Sequence, residues 1–295
     1  MKTKRVVHIM LSLMLAFCLL LVTGCNSNEK AEIISQEINE KPIIAVTIVP
    51  EQTFVKAVCG DLADVIAMVP PGNSPENYEP SPKEMEKFSK ASLYFSIGVP
   101  TEEANILPKA GNVKVISLQD EVASVYKDRT FASAGRDPHI WLSPKRVKVM
   151  IEAIAREMCK LDGANKDIYT KNAEAYIKQL DELDKQISSA LENVKSKKFI
   201  VYHPAFGYFA DDYGLQMYAL EQDGKEATPQ HLQEMIDLAK KENIKVIFYQ
   251  EEIDSSQSEA FAEEIGGKAI QLSPLAADYI GNLKIMAETM AEVMQ

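Results

Sequence analysis

The chain has 295 residues, of which 46% are hydrophobic and 25% are charged, a composition typical of globular proteins rather than of disordered chains. Its length is enough for two domains of roughly 100–150 residues each. The formal net charge is −11, from 32 basic and 43 acidic residues. Because an acidic surface repels phosphate backbones and attracts cations, we exclude nucleic acid as a partner.

The first 24 residues have the pattern of an export signal. A basic start is followed by an apolar run over residues 9–22, which is too short to span a bilayer of roughly 30 Å as a helix. Cys25 follows a Thr-Gly pair, an arrangement that resembles a bacterial lipobox, in which the thiol carries the lipid. An ordinary signal peptide or a membrane anchor with a chance cysteine is the alternative. We predict a signal peptide over 1–24, lipidation of Cys25, such as by palmitate, and a polar tether over 25–41.

Two further cysteines would remain in the exported chain, Cys59 and Cys159. Outside the cell they could pair as a disulfide, and two buried thiols are an equal alternative. No CxxC spacing occurs, which excludes a cysteine-rich zinc site.

Residues 42–162 alternate between strand and helix patterns. Short apolar β-rich runs predict strands at 43–49, 65–69, 93–97 and 113–116. Ser-Pro pairs at 81–82 and 143–144 are typical of helix starts, with serine as the cap and proline in the first turn. Since alternating strands and helices form parallel βαβ units, we predict an N-terminal α/β lobe.

A long helix follows, predicted over 163–196. No proline or glycine occurs from 165 to 195, and apolar residues recur at steps of three and four. A coiled-coil segment is the alternative, but a position between two βα segments favours a rigid connector of about 45 Å. The strand and helix pattern then resumes over 197–295, which we interpret as a second α/β lobe.

Three segments carry a family resemblance: PPGNSPENYEPSP at 70–82, DPHIWLSP at 137–144 and YHPAFGY at 202–208. In this order and spacing the chain, from residue 42 to 294, resembles the zinc- and manganese-binding solute-binding lipoproteins of metal ABC importers. The resemblance implies two α/β lobes joined by a rigid helix, with the metal clamped in the cleft between them. It also implies a monomeric receptor without enzymatic activity, anchored on the outer or periplasmic face of the cytoplasmic membrane. Its partners would be an ABC permease and the permease's ATPase.

The positions of the candidate ligands support a metal site independently. His203 directly follows a predicted strand, Glu251 follows another by two residues, and Glu76 lies in the loop after a third. Ligands of parallel sheets bind at the carboxyl ends of the strands. His139 lies in a loop bracketed by prolines. We predict a zinc or manganese ion bound by His139, His203, Glu76 and Glu251, with Glu252 as the alternative to Glu251.

The sequence departs from the family pattern at two ligand positions. Glu76 stands where the family commonly has histidine, and Ser273 stands where it commonly has an acid. Two histidines with two carboxylates tolerate manganese, whereas the Irving–Williams order favours zinc, so we prefer zinc slightly. His231, with Glu234 three residues on, is interpreted as a solvated helix face, and Asp278 is a weaker ligand candidate.

Three other functions stay open from the sequence. A surface adhesin with a degenerate metal site would bind metal only weakly. An extracellular metallohydrolase would need an open coordination position and a general base, but no HExxH motif occurs. A receptor for a chelated metal would need a larger, aromatic-lined cleft. For the receptor itself, the long helix predicts local loop movement instead of closure of the two lobes.

Overall fold

The structure, a computed structural model, describes residues 41–222 and 227–295. The predicted signal peptide, Cys25 and nearly all of the tether lie outside the described residues. Among the described helices, none is both long and apolar enough to cross a membrane.

Two four-stranded parallel sheets form the frame, and their strand orders are equivalent. The first, in the order β2-β1-β3-β4, contains β1 (Ile43–Val46), β2 (Asp64–Ala67), β3 (Leu93–Ser96) and β4 (Lys114–Ser117). The second, in the order β6-β5-β7-β8, contains β5 (Lys198–Val201), β6 (Gln216–Ala219), β7 (Val246–Gln250) and β8 (Lys268–Leu272). In each sheet the strand order reverses beside the first strand. This switch point, between β1 and β3 or between β5 and β7, is where open parallel sheets bind ligands.

Nine α-helices connect and cover the sheets in the described part of the chain. They are α1 (Val49–Cys59), α2 (Pro82–Phe88), α3 (Leu118–Ala123), α4 (Pro144–Leu161), α5 (Lys166–Glu192), α6 (Gly207–Asp212), α7 (Pro229–Lys241), α8 (Ser256–Glu264) and α9 (Tyr279–Val293). The predicted start of α2 is confirmed, because the Ser81 hydroxyl accepts a hydrogen bond from the Glu84 backbone N–H. The sequence reasoning missed α3, α6 and β6, which are short and carry no strong period.

The long helix predicted between the lobes is confirmed as α5, with 27 residues and a length of about 40 Å. A 3₁₀ turn, Gly163–Asn165, precedes it. It packs against α1 and α4 on one side and against α9 on the other. Its buried face consists of Tyr169, Ala173, Tyr176, Leu180, Leu183, Ile187 and Leu191. This contact with helices from both halves favours the rigid connector over a coiled coil.

The two sheets share one hydrophobic core with α5. In β1, Ile44 and Val46 belong to this core, whereas Ala45 between them faces the opposite side of the sheet. β5 repeats the pattern, with Phe199 and Val201 in the shared core. Because successive strand residues point to opposite faces, each sheet is covered on both faces, as parallel sheets require. The core therefore fixes the position of one lobe against the other.

Buried carboxyl groups fill the switch point of the first sheet. Glu51 accepts hydrogen bonds from the backbone N–H groups of Thr47 and Ile48, both at 3.0 Å. Glu102 accepts from the Ile97 N–H at 2.8 Å and from the Thr47 hydroxyl. Burial raises the pKa of both carboxyls, and the charge of Glu102 raises that of Glu51 further. The side chains of the first lobe therefore fill the switch point of its own sheet, where a ligand would otherwise bind.

The raised pKa of Glu51 predicts a specific pH dependence of stability. The folded state binds the Glu51 proton more tightly than the unfolded state, so this contribution to the free energy of unfolding is full below the unfolded pKa, about 4.3. It decreases as pH rises towards the folded pKa. We expect Glu51→Gln to reduce the loss of stability between pH 4.5 and 7, measured by urea unfolding of the chelator-treated chain.

The exposed neighbour of Glu102 offers a control for this measurement. Glu103→Gln removes a carboxylate of the same type at an exposed position and should leave the wild-type pH profile unchanged. A Glu51→Gln variant that loses as much stability between pH 4.5 and 7 as the wild type would show that Glu51 is ionised in the folded state.

Candidate metal centre

Three loops from the two lobes bring side chains together at the carboxyl ends of the sheets. Glu76 lies in the loop between β2 and α2, and His203 follows β5 directly. His139 immediately precedes a buried 3₁₀ turn, Ile140–Leu142. Glu76 and His203 lie in segments that follow strand ends, as the sequence indicated, whereas His139 lies in the loop between α3 and this turn.

The three side chains present one donor atom each to a common point. His139 Nε2 lies 3.2 Å from His203 Nε2, and Glu76 Oε1 lies 3.9 Å from the first and 3.7 Å from the second. We call these three atoms the donor triangle. In a tetrahedral zinc site with bonds of about 2.0–2.1 Å, ligand atoms lie about 3.3 Å apart. The triangle therefore has nearly the size that a zinc ion requires, and a small shift of Glu76 completes the fit.

A carboxylate orients each imidazole of the triangle. Asp137 Oδ1 lies 2.8 Å from His139 Nδ1, and Glu221 Oε2 lies 2.6 Å from His203 Nδ1. These contacts favour the tautomer in which Nδ1 donates to the carboxylate and Nε2 is left to bind a metal. The sequence reasoning did not assign these roles. Glu221 comes soon after β6, the strand that was missed, so a correct strand assignment would have placed it at the same sheet edge.

The loop before His139 is fixed from the second lobe. The Tyr208 hydroxyl of α6 accepts a hydrogen bond from the Arg129 N–H at 3.0 Å and donates to the Asp137 carbonyl at 3.1 Å. The Arg129 guanidinium lies 3.4 Å from Asp137 and 2.5 Å from Asp211. A charged and hydrogen-bonded contact between the lobes therefore supports the carboxylate that holds His139.

Polar contacts join the lobes on the other sides of the site. The Trp141 indole N–H donates to the Pro274 carbonyl at 3.1 Å, and the Tyr279 hydroxyl donates to the Trp141 carbonyl at 2.8 Å. Arg146 of α4 pairs with Asp212 of α6 at 3.0 Å. These contacts fix the position of His139 in the first lobe relative to His203 in the second.

The histidines are buried, whereas the carboxylate is accessible. His139 and His203 are 3% and 5% exposed, and the Glu76 side chain is 28% exposed. Trp141 packs against His139 with ring centroids 5.0 Å apart. A cavity of about 250 Å³ opens beside the triangle, bounded by the Glu76 loop and by the ends of β7 and β8. The site can therefore admit a small ion past Glu76 to two fixed nitrogens.

Glu251, the fourth predicted ligand, does not join this group. Its Oε2 accepts a hydrogen bond from the Ser273 hydroxyl at 3.0 Å, and its side chain is exposed. Only Glu76, His139 and His203 have donor atoms within 4.8 Å of one another among the described residues. Successive residues after β7 point in different directions, and it is Glu252, not Glu251, that lines the cavity.

The weaker candidates lie apart from the donor triangle. His231 on α7 bonds through Nε2 to the Ala219 carbonyl at 3.0 Å, and its Nδ1 lies 3.8 Å from Glu234. Asp278 caps α9 by accepting from the Gly281 N–H. Both residues have local structural roles, and His231, which the sequence placed on a solvated helix face, is partly buried against the Ala219 carbonyl.

Cys59 and Cys159 are free thiols in the structure and form no disulfide with each other. Cys59 is buried, and burial raises the pKa of its thiol to about 12. Of the two arrangements left open by the sequence, the structure has separate thiols.

Comparison with known proteins gives consistent matches over nearly all of the described chain. A profile of the ZnuA family, described as the periplasmic component A of a zinc-uptake complex, matches residues 44–293. The high-affinity zinc uptake system protein ZnuA of Bacillus subtilis (strain 168) is 30% identical over 278 residues, which cover 88% of this chain and 86% of that protein.

A second relative and a solved structure match about the same part of the chain. The zinc-binding lipoprotein AdcA of Streptococcus pneumoniae (strain ATCC BAA-255 / R6) is 30% identical over 282 residues, covering 90% of this chain and 55% of that longer protein. A crystal structure of ZnuA superimposes with a TM-score of 0.81 at 36% identity and covers 87% of this chain and 100% of that one. The fold and its two-lobed arrangement are thus shared.

The carboxylate contact of His203 predicts an effect on metal affinity. Replacing Glu221 with glutamine keeps the shape of the side chain but removes the charge that favours the metal-binding form of His203. We expect zinc affinity, measured by competition with a chromophoric chelator, to fall about 10- to 100-fold. Glu234→Gln, which changes the carboxylate beside His231, is the matched control and should leave zinc affinity unchanged. Equal affinities of the Glu221→Gln variant and the wild type would contradict this orienting role.

Proposed function

The chain belongs to the family of periplasmic zinc-uptake components, and from this membership we propose that it binds a zinc ion outside the cytoplasm and delivers it to an ABC importer. The family consists of substrate-binding receptors of transporters, so the protein is not an enzyme. Its partners are accordingly the permease and the ATPase of a zinc-uptake system. The ion is the cargo that the protein carries.

The observation that carries this proposal is the donor triangle. Two nitrogens from different lobes and one carboxylate oxygen converge within 4.8 Å, and a carboxylate orients each of the two imidazoles. When each Nδ1 donates to its carboxylate, neither Nε2 of a neutral ring carries a hydrogen, so the two imidazoles 3.2 Å apart cannot hydrogen-bond to each other, and a cation between them would satisfy both nitrogens. A zinc ion would bond to both and so cross-link the lobes.

The donor types favour zinc over manganese. Imidazole nitrogen is a ligand that zinc prefers, whereas manganese prefers carboxylate, carbonyl and water oxygens. Zinc also binds a given nitrogen and oxygen site more tightly in the Irving–Williams order. We propose zinc as the main cargo and manganese as a weaker competitor that the accessible Glu76 carboxylate tolerates.

Capture requires no chemical step, and we propose that it proceeds through loop movement. The ion meets the accessible Glu76 first and then reaches the two buried nitrogens, which bind it only as neutral imidazoles. Closure of one lobe on the other would break the packing of α5 against α1, α4 and α9. Release to the permease therefore needs only a displacement of the loop that carries Glu76.

We further propose that lipid on Cys25 keeps the receptor beside its permease. The polar tether over 25–41 would separate the folded part from the membrane surface. Anchoring raises the concentration of the receptor near the permease, so a moderate affinity between the two proteins is enough for transfer.

Metal titration of the wild type and a ligand variant tests the proposed function. We expect one zinc ion per chain to bind more tightly than manganese in isothermal calorimetry after chelator treatment. His139→Ala should abolish tight binding, because it removes one of two buried nitrogens. His231→Ala, away from the triangle, is the control and should bind as the wild type does. Absence of tight binding of either ion to the wild type would refute the receptor and favour a surface adhesin.

The anchoring proposal has a separate test. In cells, Cys25→Ser should move the protein from the membrane fraction to the soluble or secreted fraction, because the hydroxyl cannot form the thioether to lipid. Cys18→Ser, which changes a cysteine inside the apolar run, should leave the protein in the membrane fraction. A Cys25→Ser protein that is processed and still retained by the membrane would contradict lipid anchoring at this residue.

A further inference from the structure

The donor triangle supplies three ligands, and a tetrahedral zinc ion takes four. Two cavities adjoin the triangle, of about 250 Å³ and about 230 Å³. The larger one is lined by Glu221 and Glu252 in addition to the triangle residues, and by no lysine or arginine among the described residues. The smaller one adds only Arg136 as a further charged residue. An acidic fourth ligand therefore has to come from the larger cavity.

Of the two glutamates that line the larger cavity, Glu221 already bonds to His203, so Glu252 is the remaining candidate for the fourth ligand. The Glu221 carboxylate bonds to His203 Nδ1 at 2.6 Å and lies on the far side of that ring from Nε2. Glu252 Oε2 is buried and has no hydrogen-bond partner among the described residues. A buried carboxylate oxygen without a partner is destabilising, since it loses its hydration without compensation. A bound cation would supply the partner that the Glu252 oxygen lacks and would offset the cost of burying it.

We propose that Glu252 is the fourth zinc ligand of this receptor, an inference that rests on the proposed function. Its carboxylate lies outside the 4.8 Å group of the triangle, so coordination requires the Glu252 side chain to rotate towards the ion. Glu252 follows β7, next to the switch point of the second sheet, where His203 follows β5. The second lobe then contributes one nitrogen and one oxygen, as the first lobe does with His139 and Glu76.

The charges in direct reach of the ion give a second argument for this ligand. The donor triangle offers one negatively charged atom, from Glu76, because the Asp137 and Glu221 carboxylates bond to the imidazoles on the side away from Nε2. The Glu252 carboxylate would supply a second negative charge directly to the dication, which stabilises a charge buried in this site.

Neighbouring glutamates provide a matched pair of variants for the test. Glu252→Gln removes the proposed ligand charge, whereas Glu251→Gln changes the adjacent carboxylate, which bonds to Ser273. With the full-length chain in detergent, we expect Glu252→Gln to weaken zinc binding by at least about tenfold and to change the visible spectrum of the cobalt(II)-loaded protein. Glu251→Gln should match the wild type in both measurements.

Chemical rescue distinguishes coordination from a structural role of Glu252. In Glu252→Ala, added acetate can occupy the vacated position, so millimolar acetate should restore zinc affinity and the wild-type cobalt spectrum. Acetate should not affect the wild type. Thermal melts of the metal-free variants check that all of them fold.

The outcomes separate the inference from the proposed function. If the wild type binds zinc tightly and Glu252→Gln does so equally, with an unchanged cobalt spectrum, the fourth ligand is water and the inference is overturned while the receptor stands. If Glu252→Ala loses affinity without rescue by acetate, Glu252 is not a ligand. If the wild type does not bind zinc, both the proposed function and the inference fail.

Discussion

The geometry of the candidate metal site depends on the fixed distance between two imidazole nitrogens that belong to different lobes. His139 Nε2 and His203 Nε2 lie 3.2 Å apart, close to the edge of a zinc coordination tetrahedron. Neither lobe alone can set that distance. It follows from the core that both sheets share with α5, and from the polar contacts of Trp141 and Arg146 across the lobe boundary. Packing between the two lobes thus determines the distance between the two donor nitrogens.

Equivalent sheets have different uses in the two lobes. Both have the same strand order, so both have a switch point at the carboxyl ends of their central strands. In the first sheet this place is filled by Glu51 and Glu102, which take up backbone N–H groups that would otherwise face a ligand. In the second sheet His203 and Glu252 line the cavity beside the donor triangle. The switch point of the first sheet is therefore filled by protein side chains, whereas that of the second sheet remains open to a ligand.

The sequence predicted the fold well because its signals were local. Hydrophobic period, serine caps and proline positions located most strands, the start of α2 and the long helix α5. The missed elements, α3, α6 and β6, are four to six residues long and are stabilised by packing that no local pattern reveals. Domain limits at 162 and 196 stay predictions, since α9, from the predicted C-terminal lobe, packs against the long helix.

The site was predictable as far as its residues follow strand ends. Glu76 and His203 follow strand ends, and His139 was indicated only by its proline-bracketed loop. The structure brings these three together, whereas Glu251 points to Ser273. The distinction between Glu251 and Glu252 depends on the local turn after β7, and no periodicity extends into a turn. The orienting carboxylate Glu221 was hidden for a related reason, because it follows the strand that the sequence did not reveal.

The donors of the triangle are widely separated along the chain, which has a consequence for biogenesis. A chain that is not yet folded has no metal site, since Glu76, His139 and His203 come from separate loops of the two lobes and meet only in the folded protein. Contacts so distant in sequence require the entropy of closing long loops to be overcome. Metal affinity is thus a property of the complete tertiary fold and of neither lobe alone. A truncated or misfolded copy would not sequester scarce metal from intact receptors.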